Sequence, residues 1–184
     1  MTARDAADVI DPLEGDEGEP DVGRHRDVGR EILATKLADV TPRAPVTIRA
    51  DAPVSKAVEL MRAKATSAVV VVAPGRARRV VGVFTERDLV QRALPSRRWA
   101  SARVDRYMTP SPETLRPEDP IAYAINRMTA GGYGHVPLVD RDGRAAGIVS
   151  AADLLAFVVE LCPEEVLNLP PEPELALHPR AEGE

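Results

Sequence analysis

The sequence predicts a mixed α/β fold (α+β in arrangement) made of two β-α-β-β-α units that form a pseudo-symmetric body. Three observations carry that expectation. The segment Pro53-Val54-Ser55-Lys56-Ala57-Val58-Glu59-Leu60-Met61 returns 67 residues later as Pro120-Ile121-Ala122-Tyr123-Ala124-Ile125-Asn126-Arg127-Met128. Gly82-Val83-Phe84-Thr85-Glu86-Arg87-Asp88 returns 65 residues later as Gly147-Ile148-Val149-Ser150-Ala151-Ala152-Asp153. Between each such pair lies a β-branched run with turn residues after it, so helical and extended patterns alternate in both copies.

The elements follow in order. A leading helix is expected over residues 28–39. Each copy then opens with a short extended piece, Val46-Thr47-Ile48 or Glu113-Thr114-Leu115. A helix starts near Pro53 or Pro120, where a first-turn proline costs no hydrogen bond. Its apolar face is Val54, Ala57, Val58 and Met61, or Ile121, Ala124, Ile125 and Met128. The run 68–73, matched by 136–139, has apolar residues on successive positions, which implies burial on both faces, as in an interior and largely parallel strand. A turn leads to a further strand at 80–84 or 145–149, and a second helix opens at Glu86 or Ala151. The two-residue difference in offset falls in the loop 74–79, which is longer than 141–144.

Charge divides the chain more sharply than length does. Residues 1–30 hold nine acids against four bases and residues 163–184 six against one, leaving 19 bases against 14 acids for 31–162. Both tails are rich in Gly, Pro, Asp and Glu, bury too little to offset ordering entropy, and are expected to be disordered. The expected organisation is an acidic tail over 1–30, a first repeat with its leading helix over 31–95, and a linker over 96–103. A second repeat over 104–162 and a Pro-rich acidic tail over 163–184 complete it. A unit of about 60 residues buries little alone, so the copies should share a core. The mildly basic body suits an anionic ligand. One cysteine, Cys162, excludes an intramolecular disulfide, and neither a membrane span nor a signal peptide is legible, so a cytoplasmic protein is expected.

Chemistry concentrates at the strand-to-helix junctions. Thr85 with Asp88, and Ser150 with Asp153, each fit a capping box, in which the hydroxyl closes the helix and the acid sits at its third position. A second reading is compatible with the first. Gly82 and Gly147 permit close backbone approach, a helix start offers free N–H groups, and a fixed carboxylate can accept two hydrogen bonds from a ribose diol. No Ser–His–Asp arrangement, paired catalytic carboxylates or phosphate loop accompanies them, so no enzymatic activity is expected.

At these residues the chain resembles tandem cystathionine-β-synthase (CBS) domain proteins, the Bateman modules. The resemblance runs from about Leu37 to Leu161. It rests on Asp39-Val40-Thr41-Pro42, Arg106-Tyr107-Met108-Thr109-Pro110, His135-Val136-Pro137-Leu138-Val139-Asp140 and both glycine–hydroxyl–aspartate junctions. It implies two CBS repeats packed with pseudo-twofold symmetry as a stand-alone regulatory module, with two clefts between the repeats for adenosine-containing ligands: AMP, ADP, ATP or S-adenosylmethionine, held as effectors and not as covalently bound cofactors. By that resemblance Asp88 and Asp153 bind ribose, and Thr85 and Ser150 contact ribose or phosphate. Backbone of the opposite repeat lines the base pocket: Ala52, Ala57, Thr66, Ser67 and Ala68 for the Asp153 cleft, and Ala124, Tyr133, Gly134 and His135 for the Asp88 cleft. The clefts differ. Arg87 beside Asp88 is matched by Ala152, and His135 is matched by Ala68, which favours one good site and one differently tuned. A homodimer and an unidentified regulated protein are the implied partners. Two alternatives stay open: a nucleic-acid-binding regulator, disfavoured by acidic tails and 3% aromatic residues, and a dimerisation scaffold with lapsed clefts.

Overall fold

Two helices, α1 (Val22–Ala34) and α2 (Leu37–Val40), lead the chain in its computed structural model, which describes residues 22–40, 44–75 and 77–163. The helix expected over 28–39 therefore starts six residues sooner and is interrupted at 35–36. Residues 22–30, read from composition as disordered tail, are helical because α1 lies against a helix of the second repeat, a tertiary contact that composition does not reveal. Residues 1–21 and 164–184 of the acidic tails lie outside the described residues.

The first repeat runs β1 (Thr47–Arg49), α3 (Val54–Ala63), β2 (Ala68–Val72), β3 (Val80–Thr85) and α4 (Glu86–Asp88), and α4 continues into a π-helical turn, Leu89–Ala93. Single 3₁₀ turns at Trp99–Ser101 and Val104–Arg106 cross to the second repeat. There the order is β4 (Thr109–Pro110), α5 (Ile121–Gly131), β5 (His135–Val139), β6 (Ala145–Ser150) and α6 (Ala151–Leu161). The predicted extended piece at 113–115 narrows to one parallel bridge, Leu115 to Leu138.

Strand β2 is interior, and all five of its residues are buried. It is not largely parallel, however. Helix α3 forms a crossover, so β1 and β2 pair in parallel, while the short loop after β2 turns β3 back antiparallel. The four-stranded sheet is ordered β1-β2-β3-β4, and β5 and β6 form a separate antiparallel pair. Both hairpins carry a register shift at matching places, between Val71 and Val72 and between Leu138 and Val139.

Two apolar cores result. Ile48, Val54, Ala57, Met61, Val69, Val71 and Phe84 fill the first, and Leu115, Ile121, Ala124, Met128, Val136, Leu138 and Val149 the second. Each core also takes one residue from the other repeat's lead-in. Leu37 is fully buried in the second core and Val104 in the first. Backbone bonds fix the exchange: Leu37 N–H donates to Asp119 O at 2.9 Å and Ile121 N–H to Thr35 O at 3.0 Å. Symmetrically, Val104 N–H donates to Ala52 O and Val54 N–H to Ala102 O, both at 2.9 Å. The leading segment assigned by sequence to the first repeat thus belongs spatially to the second. Among the described residues no helix is long and apolar enough to cross a membrane.

Candidate functional site

The repeat junctions meet where β2 and β5 begin. Both junctions form complete capping boxes. Thr85 Oγ1 accepts from Asp88 N–H at 3.2 Å while Asp88 Oδ2 accepts from Thr85 N–H at 3.0 Å. In the second repeat Ser150 Oγ accepts from Asp153 N–H at 3.2 Å and Asp153 Oδ2 accepts from Ser150 N–H at 2.8 Å. Each hydroxyl also donates to the carboxylate, at 2.8 Å from Thr85 and 2.6 Å from Ser150. Two orphan N–H groups per helix are satisfied in this way.

Two cavities of about 420 Å³ each flank the contact between repeats. The first takes Thr85, Glu86 and Arg87 from the first repeat's junction, Tyr133, Gly134 and His135 from the second repeat, and the segment 109–113 as a further wall. Thr66, Ser67 and Lys64 face Ser150, Ala152 and Asp153 across the second, with Val46 and Ile148 as apolar walls. Each cavity thus joins one repeat's strand–helix junction to the other repeat's strand entry. Ser67 and His135 line both, and Ser67 Oγ lies 3.0 Å from His135 Nε2.

Several residues expected at the site stand elsewhere. Asp88 is buried and lines neither cavity. Ala57, Ala68 and Ala124 belong to the buried interior, and Ala52 packs on the first core. The two glycines serve packing: a Cβ on Gly82 would stand 2.3 Å from Met108 Sδ, and one on Gly147 would stand 3.1 Å from Leu138 Cδ1. Arg87 does line the first cavity, with Nη1 donating to Gly132 O at 3.4 Å.

Other lining residues were missed. Lys64 closes α3 as its C-cap two residues before Thr66, so helix length carried the signal. The 109–113 wall begins with β4, whose proline and brevity hide it as a strand. Glu113 within that wall accepts from Tyr133 Oη–H at 3.0 Å and pairs with Arg127 at 3.0 Å.

Burial holds the His135 imidazole below its ordinary pKa, with Asp153 and Glu86 pulling the other way. Tyr133 is pushed up, first by burial and then by Glu113. Among the described residues, no three His, Cys, Asp or Glu side chains converge to hold a metal ion. The cavities present hydrogen-bonding groups, the cations Arg87 and Lys64, and apolar walls.

A pseudo-symmetric pair of five-element units with a cleft on each side of their contact defines a class, and sequence comparison agrees with it. The CBS domain profile matches residues 37–94 and 104–160, and the chain belongs to the CBS domain family as a tandem pair. Among its relatives, an uncharacterized 17.7 kDa protein of Acidianus ambivalens is 27% identical over 129 residues, 70% of this chain and 76% of that one. The CBS domain protein PAE2072 from Pyrobaculum aerophilum, solved in complex with AMP, superposes with a TM-score of 0.63 at 24% identity, over 70% of this chain and 99% of that one. The CBS domain pair of protein MJ0100, solved with 5′-methylthioadenosine and S-adenosyl-L-methionine, gives 0.61 at 21% identity, over 67% and 95%.

Proposed function

We propose that the chain is a non-enzymatic regulatory module that binds an adenosine-containing ligand between its repeats and passes the bound state to a partner protein. One observation carries the reading: each of two cavities of about 420 Å³ is walled by both repeats, so a ligand there bridges them. That volume suits a nucleotide-sized molecule. In the second cavity the Asp153 carboxylate suits a ribose diol, the Lys64 ammonium suits phosphate, and Val46 and Ile148 suit the faces of a base. AMP in one structural neighbour, and S-adenosylmethionine with methylthioadenosine in another, support adenosine as the shared element.

Signalling follows from differential affinity. A ligand touching both repeats favours the repeat arrangement it fits, and coupling between sites is typically about 1–3 kcal/mol. We further read the module as a cytoplasmic homodimer acting on a separate protein.

A thermal-shift panel with AMP, ADP, ATP and S-adenosylmethionine on the full chain tests this. A ligand at about 100 times its dissociation constant adds roughly 2.7 kcal/mol of stability, a shift of several degrees. Stabilisation by an adenosine compound, and none by inosine or guanosine counterparts, is the expected result. A flat panel removes the sensor reading and leaves the scaffold reading in its place.

A further inference from the structure

The two junctions share a motif but not the fate of its carboxylate. Asp88 Oδ2 is occupied by the Thr85 N–H and hydroxyl, and Arg92, four residues on, places Nη1 3.1 Å from the remaining oxygen, Oδ1. The same Nη1 stands 3.3 Å from Met108 O, 3.4 Å from Tyr107 O and 3.4 Å from Thr109 Oγ1. Arg92 is therefore held over the carboxylate by the segment leading into β4, whose Thr109 also lines the first cavity. The Asp88 side chain is only 7% exposed.

In the second repeat, Asp153 Oδ2 is likewise used by Ser150. Position 157, the counterpart of Arg92, is Phe157, packed on the second core. Oδ1 of Asp153 has no protein partner among the described residues, and Asp153 lines its cavity. One carboxylate is spent on an internal guanidinium, and the other keeps an acceptor available to a ligand.

We propose that Arg92 is a specificity-determining residue that removes the first repeat's aspartate from ligand recognition, so each chain takes one diol-bearing ligand, at Asp153. This rests on the adenosine-binding reading above. The geometry also predicts that Arg92 can be undone. A neutral side chain of similar length frees Asp88 Oδ1 without touching the capping box.

Calorimetric titration of the full chain with AMP tests the proposal, alongside Asp153→Asn, Asp88→Asn and Arg92→Met. The isosteric amides keep the junction's shape, and unfolding midpoints without ligand verify that each variant is folded. Expected are one AMP per wild-type chain, an affinity loss of about ten- to a hundredfold in Asp153→Asn, the range for one hydrogen bond to a charged group, and little change in Asp88→Asn. Arg92→Met should gain a second, weaker event that disappears in Arg92→Met/Asp88→Asn. The retained site should lose affinity for 2′,3′-dideoxy-AMP. Two AMP per wild-type chain, or a single site lost in Asp88→Asn and kept in Asp153→Asn, overturns the Arg92 assignment alone. No binding of AMP, ADP, ATP or S-adenosylmethionine by the wild-type chain overturns the module reading and this one with it.

Discussion

Ser67 Oγ and His135 Nε2, 3.0 Å apart, form the wall that separates the two cavities, and these are the two residues common to both linings. The contact spans 68 positions of sequence. Both residues stand at or just before the entry of an equivalent strand, which is where pseudo-symmetry brings the repeats together.

That wall is sensitive to acid. The folded His135 has a pKa below its ordinary value of about 6.5, because burial disfavours the imidazolium. The unfolded chain then binds more protons, so stability is full above pH ~6.5 and falls as pH drops from there through the lower folded value. Urea unfolding at pH 7.5 and 5.5 should show less stability at 5.5, and His135→Gln should flatten part of that slope. An unchanged slope would remove His135 as its source.

The loops after α3 and α5 turn through the same left-handed position with different residues. In the first repeat it is Ala65, at φ 47°, and in the second Gly132, at φ 65°. A Cβ there costs about 1–2 kcal/mol. Ala65→Gly should gain part of this, offset by the added freedom of glycine in the unfolded chain, while Gly132→Ala should lose stability. Midpoints of chemical unfolding decide it, and the two changes should have opposite signs.

Gly82 is where β3 accepts β4. A methyl there would meet Met108 Sδ at 2.3 Å and Thr109 O at 3.0 Å. Gly82→Ala should cost about 1–3 kcal/mol, the usual penalty of overpacking. Combined with Met108→Ala, the loss should be smaller than the sum of the two single losses, since the sulfur's place is vacated. Additive losses would mean that the backbone carbonyl, and not the methionine, sets the limit.

Leu37 and Val104 each stand in the opposite repeat's core. Leu37→Ala should cost about 2–5 kcal/mol, in the range for a buried leucine. If the exchange holds, the losses should appear as a single unfolding transition and not as melting of one repeat ahead of the other. Circular dichroism and tryptophan fluorescence, reporting through Trp99, should therefore give coincident curves.

Much of this was legible because the repeat reports each element twice. Valines 69–72 declared a strand buried on both faces, and Thr85/Asp88 and Ser150/Asp153 declared helix starts; all appear where their patterns placed them. What escaped was whatever depends on a distant neighbour. The helix over 22–30 needs α5 to lie against, and β4 needs the edge of β3. The resemblance gave both aspartates a ribose role, and the sequence differences that set the clefts apart, at Arg87 and His135, did not include the fate of the Asp88 carboxylate. The Asp88–Arg92 spacing of four was in plain view, but carbonyls from residues 107 and 108 are what hold that guanidinium in place. No local pattern carries such an anchor.

The exchange of lead-ins also sets how the chain can be cut. A fragment ending near residue 95 keeps Leu37 but leaves its seat behind, and its own core lacks Val104. Two half-chains mixed together, by contrast, each hold the plug that the other lacks. They should reconstitute the whole from separate polypeptides, and in a crowded solution of intact chains the same plugs offer a route to reciprocal dimers. The inherited unit and the unit that folds are therefore out of step along the sequence.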